Sequence, residues 1–422
     1  MKKVWKVVSF MLVMMMVLTA CQKKVATTDS ESGNLGTDQG TVTKDEDDNT
    51  TKEPIELTLW HETEESISTA LQEEFAKLEP EIKVNVVRKD NITEALKLAA
   101  GDPTSSPDLI WFAHDKIGLF AEMNIIESVD SYVEASEFDK FLPLTKEAST
   151  YNGKHYQIPV YYETLMFMYN KALLDKAPET TDELLEIMKS KTIDGNYGFV
   201  EQHSTAYYAS AWIHAFGGSI INDKAEPLLN TNEMMEALSY HKEFVQYMPV
   251  DGEWNTVTTM FLEGKAASIV NGPWFVASAK DAGITLGVQP LPTVSKNGQP
   301  LQPYSGVQGI MLSTTCKDKE AAKVVLNQLC KKDLSEAIAI KNGAAPAHSE
   351  AYNNAEIQKS EIIMTLRECA DNAVPMPNIP QMDVLWSCTE NALASINKSN
   401  ADITTTLNVA QEEAVKQIKA ME

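Results

Sequence analysis

Between Ile55 and Ala113 the apolar residues of this chain change period four times within some sixty residues. "IELTLW" alternates Ile55, Leu57 and Leu59 and predicts a strand. "SISTALQEEFAKLEP" places Ile67, Leu71, Phe75 and Leu78 on one helical face, with Pro80 as a stop. "IKVNVVR" alternates again through Ile82, Val84 and Val86, and "NITEALKLAAGDP" predicts a second helix, capped by Asn91 and ended by Gly101. "PDLIWFA" closes the series as a buried strand. Strand, helix, strand, helix, strand in so short a span predicts a doubly wound α/β domain. In such sheets ligands collect beyond the carboxyl ends of the strands. His61 to Glu64, after the first strand, and His114, Asp115 and Lys116, after the third, are therefore expected on one rim. Trp111 is expected in the core, and His61 and His114 as structural hydrogen-bonding groups.

The N-terminus speaks to compartment. Lys2, Lys3 and Lys6 precede an apolar run from Val7 to Val17, then Leu18-Thr19-Ala20-Cys21. The run is shorter than the ~20 apolar residues that span a bilayer and has the layout of a signal peptide over residues 1–20. Its ending resembles a bacterial lipobox, which makes Cys21 the lipid-modified first residue and a membrane tether. From Cys21 to Glu53 the chain is Thr, Ser, Gly, Asp, Glu, Asn and Lys with almost nothing to bury, so a disordered, lipid-anchored linker is expected.

The remainder, roughly 370 residues, is long for one core and predicts two domains. Without the three signal lysines, 33 basic residues stand against 60 acidic ones, a net charge of about -27. That balance argues against nucleic acid and anionic lipid surfaces as partners. Cys316, Cys330, Cys369 and Cys388 form no Cys-x-x-Cys pair, so neither zinc nor another metal is expected. Bridged and free thiols both remain open, with Cys330 placed inside a helix by "KVVLNQLCKK".

Later segments add more strand ends. In "GKHYQIPVYYETLMFMYNKALL" a strand through Ile158, Pro159 and Val160 enters a crossing segment, and Glu163 is an acid among apolar neighbours. "FLEGKAASIVNGPWF" predicts a strand from Ala266 to Val270 and a Gly-Pro turn that presents Trp274. "VPMPNIPQMDVLW" sets three prolines before Trp386, at the start of a helical stretch. "ITTTLNVAQEEAVKQI" spaces Ile403, Leu407, Ala410, Ala414 and Ile418 for a packed terminal helix.

Four of these segments, "PDLIWFAHDKIG", "YNGKHYQIPVYYETLMFMYNK", "GKAASIVNGPWF" and "MPNIPQM" with the following Leu-Trp, resemble the ABC-transporter solute-binding proteins for oligosaccharides, most closely the maltose/maltodextrin-binding family. They lie in order from about Ile55 to the C-terminus, so the resemblance covers nearly the whole mature chain. It implies two discontinuous α/β lobes, 54–161 with 290–343 and 162–289 with 344–422, closing on sugar in a cleft. It further implies a monomer with no cofactor, delivering ligand to the membrane subunits of an ABC importer. Carried over by motif, Asp115 and Lys116 hold sugar hydroxyls from the first lobe, and Glu163 matches an acid after the crossing strand. Trp274 and Trp386 match stacking tryptophans of the second lobe. Tyr207 matches a further platform, with Tyr208 as the competing register.

Such residue types suit a sugar. Aromatic faces cover the C–H face of a glucose ring, and carboxylates and ammonium groups satisfy its hydroxyl edge. The chain also departs from the family pattern. Lysine replaces arginine at Lys116, the family's "WINGDKG" is "WHETEES" so that its acid falls on Glu64 and its lysine on Glu65, Phe112 replaces tryptophan, and Glu390 replaces arginine. Preferred sugar length and linkage stay open, cyclodextrin included. A secreted glycoside hydrolase would share an acidic, aromatic cleft, with Glu64, Asp115 and Glu163 as its carboxyls, but no glycosidase motif surrounds them. A binder of peptides or metal is the third reading.

Overall fold

Strand β1 (Ile55–His61) lies one place in from the edge of a mixed sheet and has parallel partners on both sides. Strand β2 (Ile82–Arg88) pairs with it from Ile55↔Ile82 to His61↔Arg88, and β3 (Leu109–Ala113) joins at Leu59↔Leu109. Parallel neighbours need crossover connections, and the helices Glu65–Phe75 and Ile92–Ala99 supply them. The structure, a computed structural model, describes residues 53–222 and 224–421. The expected signal peptide, Cys21 and the linker as far as Lys52 lie outside the described residues.

Alternation along the strands sorts side chains onto two faces. Leu57, Leu59, Leu109 and Trp111 pack on one face with Ile67, Leu71 and Phe75, and with Val325, Leu326, Leu334 and Ile338 from the helices Lys319–Leu329 and Lys332–Asn342. Trp60 and Ile110 face the other way, against Ile92, Leu96, Ile117 and Phe120. Both faces are covered, as a doubly wound sheet requires.

The chain leaves this sheet through β4 (Gln157–Thr164), passes Leu165 and enters β5 (Met166–Asn170), the middle strand of a separate three-stranded sheet. Its neighbours are β6 (Ser268–Asn271) and β7 (Leu286–Gln289), both antiparallel to it. Strand β8 (Tyr304–Ser313) then returns to the large sheet between β3 and β4. Pro159 sits inside β4, a place where proline costs a ladder hydrogen bond. The ladder slips between Gln308 and Gly309 opposite it, and a Cβ on Gly309 would lie 2.3 Å from the Ile158 carbonyl oxygen. Glycine allows the bulge, and the bulge accommodates the proline.

A third connection is the proline-rich strap. Val374–Pro375 pairs with the start of β8, and the chain then feeds the helix Met382–Lys398. That helix packs with Ala206–Ala215, Asn232–Val245 and Ile403–Lys419 through Ile213, Leu238, Leu385, Leu393, Leu407 and Ala414.

Four local expectations are corrected. Asn91 does not cap its helix: its backbone is left-handed at φ 53°, and the Glu62 carboxylate accepts from Asn91 N at 3.0 Å and Ile92 N at 3.1 Å instead. The strand expected from Ala266 starts at Ser268. Leu78 belongs to a 3-10 turn, Ala76–Leu78, that tightens the chain before Pro80. Cys330 follows its helix as the C-cap. All four described cysteines are free and buried. Among the described residues no helix is long and apolar enough to cross a membrane.

Candidate functional site

The rim after β3 is built on His114. It is fully buried, accepts from Val307 N at Nδ1 (3.0 Å) and donates from Nε2 to the Met376 carbonyl (2.9 Å). Burial pushes its pKa down to about 4, so the ring is neutral and joins β3, β8 and the strap. The 3-10 turn His114–Lys116 then carries Asp115 and Lys116 outward. The strap is held beside them: Gly118 N donates to Asn378 O at 2.8 Å, and Asn378 Nδ2 donates to the carbonyls of Ala148 and Thr150.

Asp115 is mostly enclosed, and burial raises its pKa while the adjacent Lys116 ammonium, 3.5 Å away, lowers it. Lys116 also donates to Asp383, in the first turn of the helix Met382–Lys398. Glu163, on β4, is half-buried. Burial pushes its pKa up to about 7, the Glu64 carboxylate adds to the rise, and Gln308 Nε2, 3.5 Å from Oε1, opposes it.

Aromatic residues form a chain from the other side. Gly272 lets the Trp274 ring fold back over its own turn, since a Cβ there would lie 2.2 Å from the indole. Trp274 is half-buried and tilts toward Tyr207 with centroids 6.3 Å apart; Tyr207 meets Tyr304 at 6.5 Å, and Tyr304 meets Trp386 edge-on at 5.8 Å. Tyr208 is buried, and its hydroxyl donates to Asn271 Oδ1. The two tyrosines therefore differ: Tyr207 belongs to the aromatic chain and Tyr208 to the interior.

Three cavities run together here. One of about 380 Å³ is lined by Glu62, Thr63, Glu64, Trp111, Phe112, Tyr161 and Gln308. A small one of about 80 Å³ joins Glu64, Tyr161 and Glu163 to Trp274 and Asn342. The third, about 540 Å³, extends past Glu64 and Trp274 to Lys280, Lys341 and Ser360. Glu64 lines all three and Trp274 two, so side chains of both lobes border one continuous cleft.

Of the eight candidates, Glu64, Phe112, Glu163 and Trp274 line these cavities. Asp115, Lys116, Tyr207 and Trp386 are not in the lining of these three; Tyr207 packs against the lining Trp274, and Trp386 is linked to it through Tyr304 and Tyr207. Burial raises the Tyr207 pKa well above its ordinary value, and the Glu163 and Asp115 carboxylates add to the rise. Glu390 accepts from Ala206 N at 3.3 Å, a negative charge at a helix start. Sequence reasoning passed over Tyr161, Gln308, Asp383 and Tyr304. Gln308 alone carried a signal, as a polar residue inside the apolar strand "YSGVQGIML".

The comparisons with known proteins agree with this geometry. A sequence model of the family described as bacterial extracellular solute-binding protein matches residues 70–365. A maltotriose-binding protein of Pyrococcus abyssi is 35% identical over 378 residues, 86% of this chain and 82% of the relative. A galactooligosaccharide-binding protein of Bacillus subtilis is 29% identical over 391 residues, 86% of this chain and 90% of the relative. The crystal structure of a cyclo/maltodextrin-binding protein complexed with maltotetraose superposes with a TM-score of 0.80 at 26% identity, covering 88% of this chain and all of that one. On the matched family and on the extent of these likenesses, the chain belongs to the bacterial extracellular solute-binding proteins, on their maltose/maltodextrin-binding branch.

Proposed function

We propose that this protein captures maltodextrins, α-linked glucose oligosaccharides, between its lobes and delivers them to the membrane subunits of an ABC importer. One observation carries the reading. A cleft is bordered by the carboxylates Glu64 and Glu163 and by the Trp274 indole, in a chain whose 35% identical relative is a maltotriose-binding protein; Asp115, Tyr207 and Trp386 are assigned to the same set by motif. Phe112 and Lys116 complete the proposed set. The aromatic faces cover sugar C–H groups, and the charged groups take the hydroxyls. The lobes are assigned as 54–161 with 290–343 and 162–289 with 344–422. Binding without cleavage, a monomeric state and a lipid tether on Cys21 at the outer face of the cell membrane belong to the same proposal. The relatives named as maltooligosaccharide solute-binding lipoproteins support the tether.

The test is calorimetric titration with maltose, maltotriose, a cyclodextrin and a galactooligosaccharide, followed by chromatography of the recovered sugar. Intact α-glucan bound more tightly than the galacto-sugar supports the reading. Shortened products identify a hydrolase, and preference for the galacto-sugar moves the ligand class.

A further inference from the structure

We propose that Asp383 is a positioning residue: it fixes the Lys116 ammonium at the rim of the cleft, so that Lys116 and Asp115 meet the ligand as a preset pair. The inference rests on the sugar-binding reading and adds to it a residue from the opposite lobe.

Three observations carry it. The Lys116 ammonium lies between two carboxylates, 3.5 Å from Asp115 and hydrogen-bonded to Asp383. Its side chain is only 19% exposed, against 37% for Asp383, so the cation is drawn inward and the outer carboxylate covers it. Asp383 has no other side-chain partner among the described residues, and its place is set by the strap that Gly118 and Asn378 tie to the first lobe.

The chemistry explains the need. A guanidinium holds two acceptors by its own planar fork, whereas an ammonium on a four-carbon stem has no preferred plane. A lysine beside Asp115 therefore needs a second anchor to hold one direction. Asp383 supplies it, and the first turn of a helix favours a negative charge there. Burial raises the Asp115 pKa, the Lys116 ammonium opposes the rise and the Asp383 carboxylate adds to it, so Asp383 favours the Asp115 carboxylate only by holding the ammonium beside it. Preset groups spend less ordering entropy when a ligand arrives.

The test is a double-mutant cycle. Maltotriose is titrated into the wild type, Asp383→Asn, Asp383→Glu, Lys116→Arg and the Asp383→Asn/Lys116→Arg double variant, with thermal melts to confirm folding. Asp383→Asn is expected to weaken binding about five- to twenty-fold, as loss of a charged hydrogen bond does, and Asp383→Glu to restore most of it. In the Lys116→Arg background the Asn substitution is expected to cost almost nothing, because the fork holds itself. Unchanged affinity in Asp383→Asn, or an equal loss in both backgrounds, overturns the proposal. A sugar-free arm separates it from the functional reading: pulse acetylation with acetic anhydride, read by mass spectrometry, is expected to modify Lys116 several-fold faster in Asp383→Asn than in the wild type. Equal rates overturn the clamp. If the wild type binds no sugar, the functional reading falls, and the acetylation rates alone decide whether Asp383 fixes Lys116.

Discussion

Trp386 meets Tyr304 edge-on, with ring centroids 5.8 Å apart and planes at 75°. Tyr304 is buried at the start of β8, while Trp386 is half-buried, so the phenol serves as a wall against which the indole is oriented. Trp274 meets Tyr207, itself half-buried, at 6.3 Å with the planes tilted by 53°. Replacing Trp274 or Trp386 by Ala is expected to weaken maltotriose binding by about 1–3 kcal/mol while leaving the melting transition cooperative. Intrinsic fluorescence titration reads the affinity. Wild-type binding in both variants would remove the two indoles from the site.

Asp115→Asn keeps size and one acceptor but loses the charge. Binding is expected to weaken by about 1–2 kcal/mol with unchanged stability. A helix-cap role would predict no change, since Asn caps as well as Asp. A hydrolytic role would predict loss of turnover, so calorimetry and product analysis together separate the three.

Glu163 makes stability depend on pH. Its folded pKa of about 7 lies above its ordinary value of 4.5, so the folded protein keeps a proton that the unfolded chain has released between those values. Its contribution therefore falls as pH rises through that window and is flat above it. Neutral His114, with its pKa near 4, works in the opposite direction, but it is present in both proteins and cancels in a comparison. Unfolding free energies of wild type and Glu163→Gln, from urea titrations, should diverge in favour of the variant by about 1–3 kcal/mol from mildly acidic to mildly alkaline pH, allowing for partial contact with water. A constant difference would mean that Glu163 titrates normally.

Two strands and a strap join the lobes, and a ligand that touches both sides favours whichever arrangement gives it more contact. Small-angle scattering is expected to give a smaller radius of gyration with maltotriose than without. Superimposable profiles at saturating sugar would count against closure.

Periodicity revealed the large sheet because its strands and crossover helices each have one buried face in register with their period. It did not reveal the helix Ala206–Ala215, "AYYASAWIHA", where nine of ten residues are buried and no polar face marks the repeat. Asn91 misled because its side chain fits a cap, while the observed cap is Glu62, a loop residue 29 positions earlier. Asp383 was invisible for the same reason on a longer scale: it bonds Lys116 across 267 positions. The motif residues were readable as types suited to a sugar. Their partners, which decide charge and direction, come from elsewhere in the chain.

The four unpaired thiols amount to a set of internal stopwatches. Cys316 and Cys330 lie in the core of the large sheet, Cys388 among the helices of the second lobe, and Cys369 in the core around the small sheet. Burial pushes Cys316 up to about 11 and Cys330 and Cys369 up to about 12, so each is inert until its own surroundings open. Alkylation resolved by peptide then times the opening of each core separately in the unaltered protein.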